Sequence, residues 1–216
     1  MKKNSKSINK EKYSELFVYL STTFVVCLLL SNILAAKILA LGTFSVTAGV
    51  LIFPISYIIN DILSEVYGYD KAKKIIIVGF VLELLMILLF SLAIVLPAPV
   101  WYENSEAFAT ILGSTPRIAF AGLVSYLFGS LVNSKVLVKM KDKNDKLFGI
   151  RAIISTLFGE FVDSLLFVPL AFYGTMSIVE IVRMIIILVI VKTLYETICL
   201  PITYKLVCMV KKYENN

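Results

Sequence analysis

Four ionisable residues lie near the middle of two segments that otherwise have the apolar composition of membrane-spanning helices. Glu160 and Asp163 lie in the first segment, and Lys192 and Glu196 lie in the second. An ionisable group is costly in hydrocarbon, so it usually faces a protein interior or a wet cavity on the path of a substrate or ion. The chain also has no histidine, which removes histidine-based catalytic triads. This combination favours a transporter.

Composition places the chain among membrane proteins. Hydrophobic residues make up 59% of its 216 residues, whereas a soluble domain is usually about 45–50% apolar. A chain of this length has room for one membrane domain, which we place at 16–208. A disordered basic tail is expected at 1–15, and a short cytoplasmic tail at 209–216.

The predicted fold is an all-α, polytopic membrane protein with six transmembrane helices. A helix needs about 20 mostly apolar residues to cross the bilayer core. Six segments meet this requirement: 16–38, 46–65, 75–96, 118–138, 150–172 and 180–206. The second and fifth are interrupted by polar residues, as is common in the helices that form transporter binding sites.

The distribution of basic residues predicts the orientation. Lysines and arginines are concentrated in both tails and in the loops after spans two and four, whereas the loop 97–116 has none. The positive-inside rule therefore places both termini in the cytoplasm. The net charge of +6 follows from these loops, and it indicates contact with anionic lipid headgroups rather than with nucleic acid.

The polar residues also suggest two inverted three-helix repeats. Asn32 precedes Asp61 by 29 positions, and Asn133 precedes Asp163 by 30 positions. Each half would then supply one helix with an amide and one with an acid, and three spans per half give the inverted topology. The alternative is that the two sets of polar residues are unrelated.

Span two carries a polar face. Tyr57, Asp61 and Glu65 follow one another at four-residue spacing, with Asn60 beside them, so they share one side of a helix. Such a face suits a polar ligand, and Pro54 is expected to kink the helix near mid-depth. Alternatively, Asp61 and Glu65 cap and anchor the helix at the inner membrane interface.

Spans five and six carry the charges at mid-depth. Glu160 and Asp163 are one turn apart, so both are ionised only if a cation or hydrogen-bond donor compensates them. Lys192 could pair with Glu196 along its own helix, or it could neutralise the two acids on the neighbouring helix. A purely structural buried network is the alternative for this set.

Span four has small residues on the face that carries Asn133. Gly122 and Gly129 lie on that face and are expected to allow close contact with another helix. Arg117, at the outer end, either attracts substrate or anchors the helix at the interface. Glu83 in span three receives no role from the sequence.

Several motifs resemble the queuosine precursor transporter family, also called the vitamin uptake transporter family. They are SNILAAKI, IFPISYIINDILSEVYGYDKAKK, GSTPRIAFAGLVSYLFGSLVNSKVLVKMK, RAIISTLFGEFVDSLLF and KTLYETICLPITYKLV. They follow the order of the family and extend from about residue 30 to residue 206. Glu83 departs from the neutral polar residue expected at its position.

The resemblance implies a multi-pass protein of the bacterial cytoplasmic membrane that imports 7-deazaguanines, such as preQ0, preQ1 or queuine, for queuosine salvage in tRNA. It implies no enzymatic activity, cofactor or metal. A carboxylate can accept from the adjacent N–H and amino groups of a deazaguanine. Its flat face can stack on Tyr57, Phe161 or Tyr195. The expected substrate-binding residues are Asn32, Tyr57, Asn60, Asp61, Glu65, Asn133, Glu160, Asp163, Lys192 and Glu196.

Two other functions stay open at this point. The chain could be the membrane-embedded substrate-binding subunit of an ATP-driven uptake system, with energising subunits as partners. It could also be an intramembrane enzyme that acts on lipid, although the expected clustered aspartate motifs are absent. The sequence leaves homo-oligomerisation, the energy source and the preferred deazaguanine undetermined.

Overall fold

The computed structural model describes residues 13–34, 36–41, 44–113, 116–141, 147–174 and 177–214. Most of the predicted N-terminal tail and the last two residues of the C-terminal tail lie outside these ranges. The described elements are seven α-helices, two short strands and one 3-10 helix. In chain order they are α1 Glu15–Leu34, β1 Ile38–Leu41, β2 Phe44–Thr47, the 3-10 helix Ala48–Leu51, α2 Phe53–Tyr67, α3 Tyr69–Val95, α4 Ser105–Leu112, α5 Pro116–Lys141, α6 Phe148–Phe172 and α7 Ile178–Glu214.

The chain is helical as predicted, but the segment before α2 is an antiparallel hairpin that the sequence analysis missed. Ile38 pairs with Thr47 and Leu41 with Phe44, which uses the backbone hydrogen bonds of a short apolar stretch. The predicted start of span two at residue 46 is therefore wrong. Pro54 lies in the first turn of α2, where a missing N–H costs no helical bond, so it does not kink that helix near its middle.

Four of the described helices, α1, α3, α5 and α6, are long and apolar enough to cross a membrane, and they make the chain a multi-pass membrane protein. Helix α2 has 15 residues, which at about 1.5 Å per residue is shorter than the hydrocarbon core. Helix α7 has 37 residues and is not among the four. The count of six spans, the inverted repeats and the cytoplasmic termini remain predictions.

Helices α5 and α6 approach each other closely at two glycines. A Cβ atom built on Gly129 would lie 2.8 Å from the Cβ of Asp163, and one built on Gly159 would lie 2.7 Å from the Cβ of Asn133. Each would also lie 3.0 Å from the carbonyl oxygen of the other glycine. This contact, which the sequence predicted for the face of Gly129, places Asp163 against Gly129 and Asn133 against Gly159.

We name the two ends of the bundle by their composition. At the lysine-rich end, where α1 begins and α7 ends, Ser14 Oγ and the Tyr67 hydroxyl donate to Glu214 Oε1 at 2.7 and 2.8 Å. At the opposite, loop end, Arg117 Nε and Nη2 donate to the carbonyl oxygens of Leu170 and Tyr173 at 2.7 and 2.6 Å. Arg117 therefore links the start of α5 to the end of α6.

Candidate functional site

An ammonium group joins two carboxylates between α6 and α7. Lys192 Nζ lies 2.8 Å from Glu160 Oε2 and 2.5 Å from Asp163 Oδ2. Of the two pairings that the sequence allowed for Lys192, the structure has the contact with the acids of the neighbouring helix. Glu160 also accepts a hydrogen bond from the Tyr57 hydroxyl, which connects α2 to this group.

A second pair of acids lies on the side of this group towards the lysine-rich end. Asn133 Nδ2 donates to Asp61 Oδ1 at 3.2 Å, and Thr156 Oγ1 donates to Glu196 Oε1. The carboxyl groups of Asp61 and Glu196 lie close enough to interact, so a proton or a cation must offset the repulsion between them. The contacts therefore extend over α2, α5, α6 and α7.

We call these eight residues the central cluster: Tyr57, Asp61, Asn133, Thr156, Glu160, Asp163, Lys192 and Glu196. It contains four carboxyl groups against one ammonium group. Such an excess of acids in a buried setting is stable only when protons or cationic ligands offset the repulsion. The cluster can therefore hold protons, accept hydrogen bonds from a donor-rich ligand, or bind a cation.

A cavity of about 350 Å³ lies between the central cluster and the loop end. Small-molecule sites usually measure about 300–1,000 Å³, so this one suits a single small ligand. Tyr57, Asp163 and Lys192 line it from the cluster. The other lining residues are Leu28, Ser31, Asn32, Gly49, Glu83, Gly122, Ser125, Tyr126, Phe167 and Leu188.

Glu160 and Asn133 lie beside a much smaller space. They line a cavity of about 10 Å³ together with Gly129, Gly159 and Asp163, which is close to the minimum that one water molecule needs. A ligand in the larger cavity can therefore touch Asp163 and Lys192 directly. It reaches Glu160 or Asn133 only if the wall between the two cavities opens.

Two of the predicted site residues, Asn60 and Glu65, have their contacts outside the central cluster. Asn60 Oδ1 accepts from Ser134 Oγ at 3.3 Å. Glu65 accepts from Arg151 at 2.8 and 3.1 Å and from Lys211 Nζ at 2.7 Å. Neither Asn60 nor Glu65 lines the two cavities described here, and their substrate-binding role remains a prediction.

The aromatic residues around the cavity differ from those expected. Phe161 and Tyr195, which the sequence offered as stacking partners, are 49% and 39% exposed and line neither cavity. Tyr57, Phe167 and Tyr126 line the larger cavity, and stacking of a ligand on Tyr57 remains a prediction. Tyr126 could have been found, since it lies on the same face of α5 as Asn133, whereas nothing in the sequence distinguishes Phe167 from the other apolar residues of α6.

The family model and the relatives found by comparison all carry the names of transporters. The model of a family described as "Putative vitamin uptake transporter" matches residues 47–206. The chain is 27% identical over 148 residues to a "Probable queuosine precursor transporter" of Bacillus subtilis. The match covers 67% of this chain and 64% of the relative, so the chain spans slightly under two thirds of the relative's length. It is 26% identical to a protein of the same name in Haemophilus influenzae, over 80% of this chain and 77% of the relative.

A third relative, the "Queuosine precursor transporter" of Escherichia coli, is 24% identical over 163 residues, which is 76% of this chain and 71% of the relative. No solved structure matches the chain.

Proposed function

Because the chain belongs to the vitamin uptake transporter family, we propose that it imports 7-deazaguanine precursors of queuosine across the bacterial cytoplasmic membrane. The printed names of three relatives support this class of substrate. The observation that carries the proposal is the cavity of about 350 Å³ with Asp163 and Lys192 at its inner wall.

The chemistry of a deazaguanine matches this wall. Its adjacent ring N–H and amino groups are two parallel donors, and the carboxylate of Asp163 accepts from both in a bidentate arrangement. Its carbonyl oxygen is an acceptor, for which the ammonium group of Lys192 is a donor. The rings of Tyr57 and Phe167 offer apolar faces against which the flat heterocycle packs.

The proposed topology has six crossings with both termini in the cytoplasm. In this arrangement α2 and the hairpin before it together cross the membrane, and α7 forms the sixth span. The lysine-rich end then faces the cytoplasm, in agreement with the positive-inside rule. The loop 97–116, which has no lysine or arginine, faces outwards.

In this orientation the cargo enters from the loop end. The contacts of Glu65 with Arg151 and Lys211 lie between the central cluster and the cytoplasm, together with those of Glu214. Release to the cytoplasm then requires that these contacts separate. Homo-oligomerisation and energising subunits are not needed for this cycle as proposed.

A complementation experiment tests the function. The chain is expressed in a bacterium that lacks precursor synthesis and its own transporter, low concentrations of preQ0, preQ1 or queuine are supplied with suitable salvage enzymes, and queuosine in tRNA is measured. We expect queuosine to return with the wild-type chain. Asp163→Asn should abolish it, whereas Asp70→Asn, at an exposed acid in the first turn of α3, should not.

No queuosine from any of the three bases, with the wild-type chain present in the membrane, would refute the proposal. Loss of uptake only when ATP-driven partner subunits are deleted would instead support the reading as a substrate-binding subunit. An equal yield from Asp163→Asn and wild type would refute the assigned site while leaving the function intact.

A further inference from the structure

Glu83 is a buried acid to which the proposed function assigns no role. It is the only charged residue between positions 75 and 95 of α3, and its side chain is 5% exposed. An acid at this depth in an apolar helix is by default part of a substrate or ion path. The interior of α3 otherwise supplies only apolar packing, so Glu83 requires a specific explanation.

Only one of the two carboxylate oxygens of Glu83 accepts a hydrogen bond. Asn32 Nδ2 donates to Glu83 Oε1, and the same amide nitrogen lies 3.4 Å from the carbonyl oxygen of Leu28, which fixes its orientation. Glu83 Oε2 is buried without a hydrogen-bond partner. Among the described residues no lysine or arginine forms an ion pair with Glu83.

Glu83 lines the cavity of about 350 Å³ that the proposed function assigns to the cargo. Glu83, Asn32 and Tyr126 line this cavity together with Asp163 and Lys192. Gly79 lies one turn before Glu83, and a Cβ atom there would lie 3.1 Å from Leu28 Cδ2 and 3.9 Å from the Tyr126 hydroxyl. Helices α1, α3 and α5 therefore converge around this acid.

The charges that line the cavity do not balance. Among the described lining residues, Glu83 and Asp163 are acidic and Lys192 is the one cation, and Lys192 is already shared with Glu160. A buried carboxylate that lacks a cation favours a ligand that brings one. Hydrogen bonds between ionised partners are also shorter and stronger than those between neutral groups.

We propose that Glu83, oriented by Asn32, binds the ammonium group of an aminomethyl-substituted 7-deazaguanine while Asp163 and Lys192 bind its heterocycle. The proposal rests on the proposed function and adds a preference within it. The chain then imports cationic aminomethyl bases, such as preQ1, in preference to preQ0, whose neutral nitrile has no proton to donate. Glu83 is a specificity residue in this account.

The test compares two cargoes in the complementation strain, which can convert either base into queuosine. Initial rates of queuosine formation are measured for preQ1 and preQ0, each supplied separately at low concentration, with wild type, Glu83→Gln and Glu106→Gln. Glu106 is an exposed acid in α4 and controls for loss of a negative charge at the loop end. Thermal unfolding of each purified protein in detergent controls for stability.

We expect Glu83→Gln to lower the rate with preQ1 by about tenfold or more, the cost of one hydrogen bond to a charged group, while the rate with preQ0 changes by less than about twofold. Glu106→Gln should match wild type with both bases. Equal effects of Glu83→Gln on the two bases, whether large or absent, would overturn the specificity role and leave the proposed function standing. A wild-type chain that imports neither base would overturn the proposed function and this inference with it.

Discussion

The close approach of α5 and α6 gives a prediction that links packing to transport. In Gly159→Ala the new methyl group would lie 2.7 Å from the Cβ of Asn133, whereas ordinary contacts begin at 3.4 Å. It would also lie 3.0 Å from the backbone oxygen of Gly129, which cannot rotate away. The helices must therefore separate by about 0.7 Å, at an overpacking cost of about 1–3 kcal/mol in the free energy of unfolding.

This separation acts on the central cluster. The hydrogen bond from Asn133 to Asp61 measures 3.2 Å, which is already at the long end of the usual range. A displacement of Asn133 by about 0.7 Å is large for a bond with so little room left, so it disturbs the contact with Asp61. Asp163 lies beside Gly129 on the same contact, so the wall of the cavity is displaced as well.

The assay measures queuosine in tRNA in the complementation strain, together with thermal unfolding in detergent. We expect Gly159→Ala to lower the uptake rate by about tenfold, the loss expected when one charged hydrogen bond is misplaced. Gly149→Ala is the matched control on α6, since its new methyl group would meet only the end of the Leu200 side chain at 3.3 Å. Equal rates for these two variants would refute the argument that close packing positions the site.

Three further predictions concern charged side chains. Glu65→Gln removes the buried carboxylate that pairs with Arg151 and should lower the free energy of unfolding by roughly 3–5 kcal/mol, which thermal unfolding would detect; an unchanged midpoint would contradict it. Lys192→Met should abolish uptake because the neighbouring acids lose their cation. Uptake by Lys192→Met at the wild-type rate would argue against this role of the lysine. Arg117→Gln removes two hydrogen bonds to the end of α6 and should lower stability by about 1 kcal/mol without changing the half-saturating cargo concentration, and a large rise in that concentration would instead favour substrate attraction by Arg117.

The family is accessible from the sequence through its motifs, and the central residues are accessible because ionisable groups in apolar segments have few structural explanations. The spacing of Glu160 and Asp163 predicts that a cation or a donor compensates them, and Lys192, one of the candidates, is in contact with both. The face of Gly129 was expected to contact a helix, and it does. The spacing of Glu160 and Asp163 and the small-residue face of Gly129 follow from periodicity within a single helix, which a sequence displays directly.

The remaining features depend on contacts between distant segments. Strands 38–41 and 44–47 form because they pair their backbones with each other, a contact that hydropathy within either segment does not reveal. Glu83 stands out in the sequence as an isolated acid, but its proposed role requires the amide of Asn32, 51 positions earlier in the chain. Glu65 was grouped with Asp61 by spacing, whereas its actual partners, Arg151 and Lys211, come from α6 and α7.

Binding of preQ1 to the purified protein tests the central claim most directly. Isothermal titration calorimetry in detergent would compare the wild-type chain with Asp163→Asn, after thermal unfolding has established that both are folded. The account predicts saturable binding by the wild type, weakened about tenfold or more in Asp163→Asn. Binding of equal strength by the two proteins would contradict the claim that the cavity wall at Asp163 recognises the cargo.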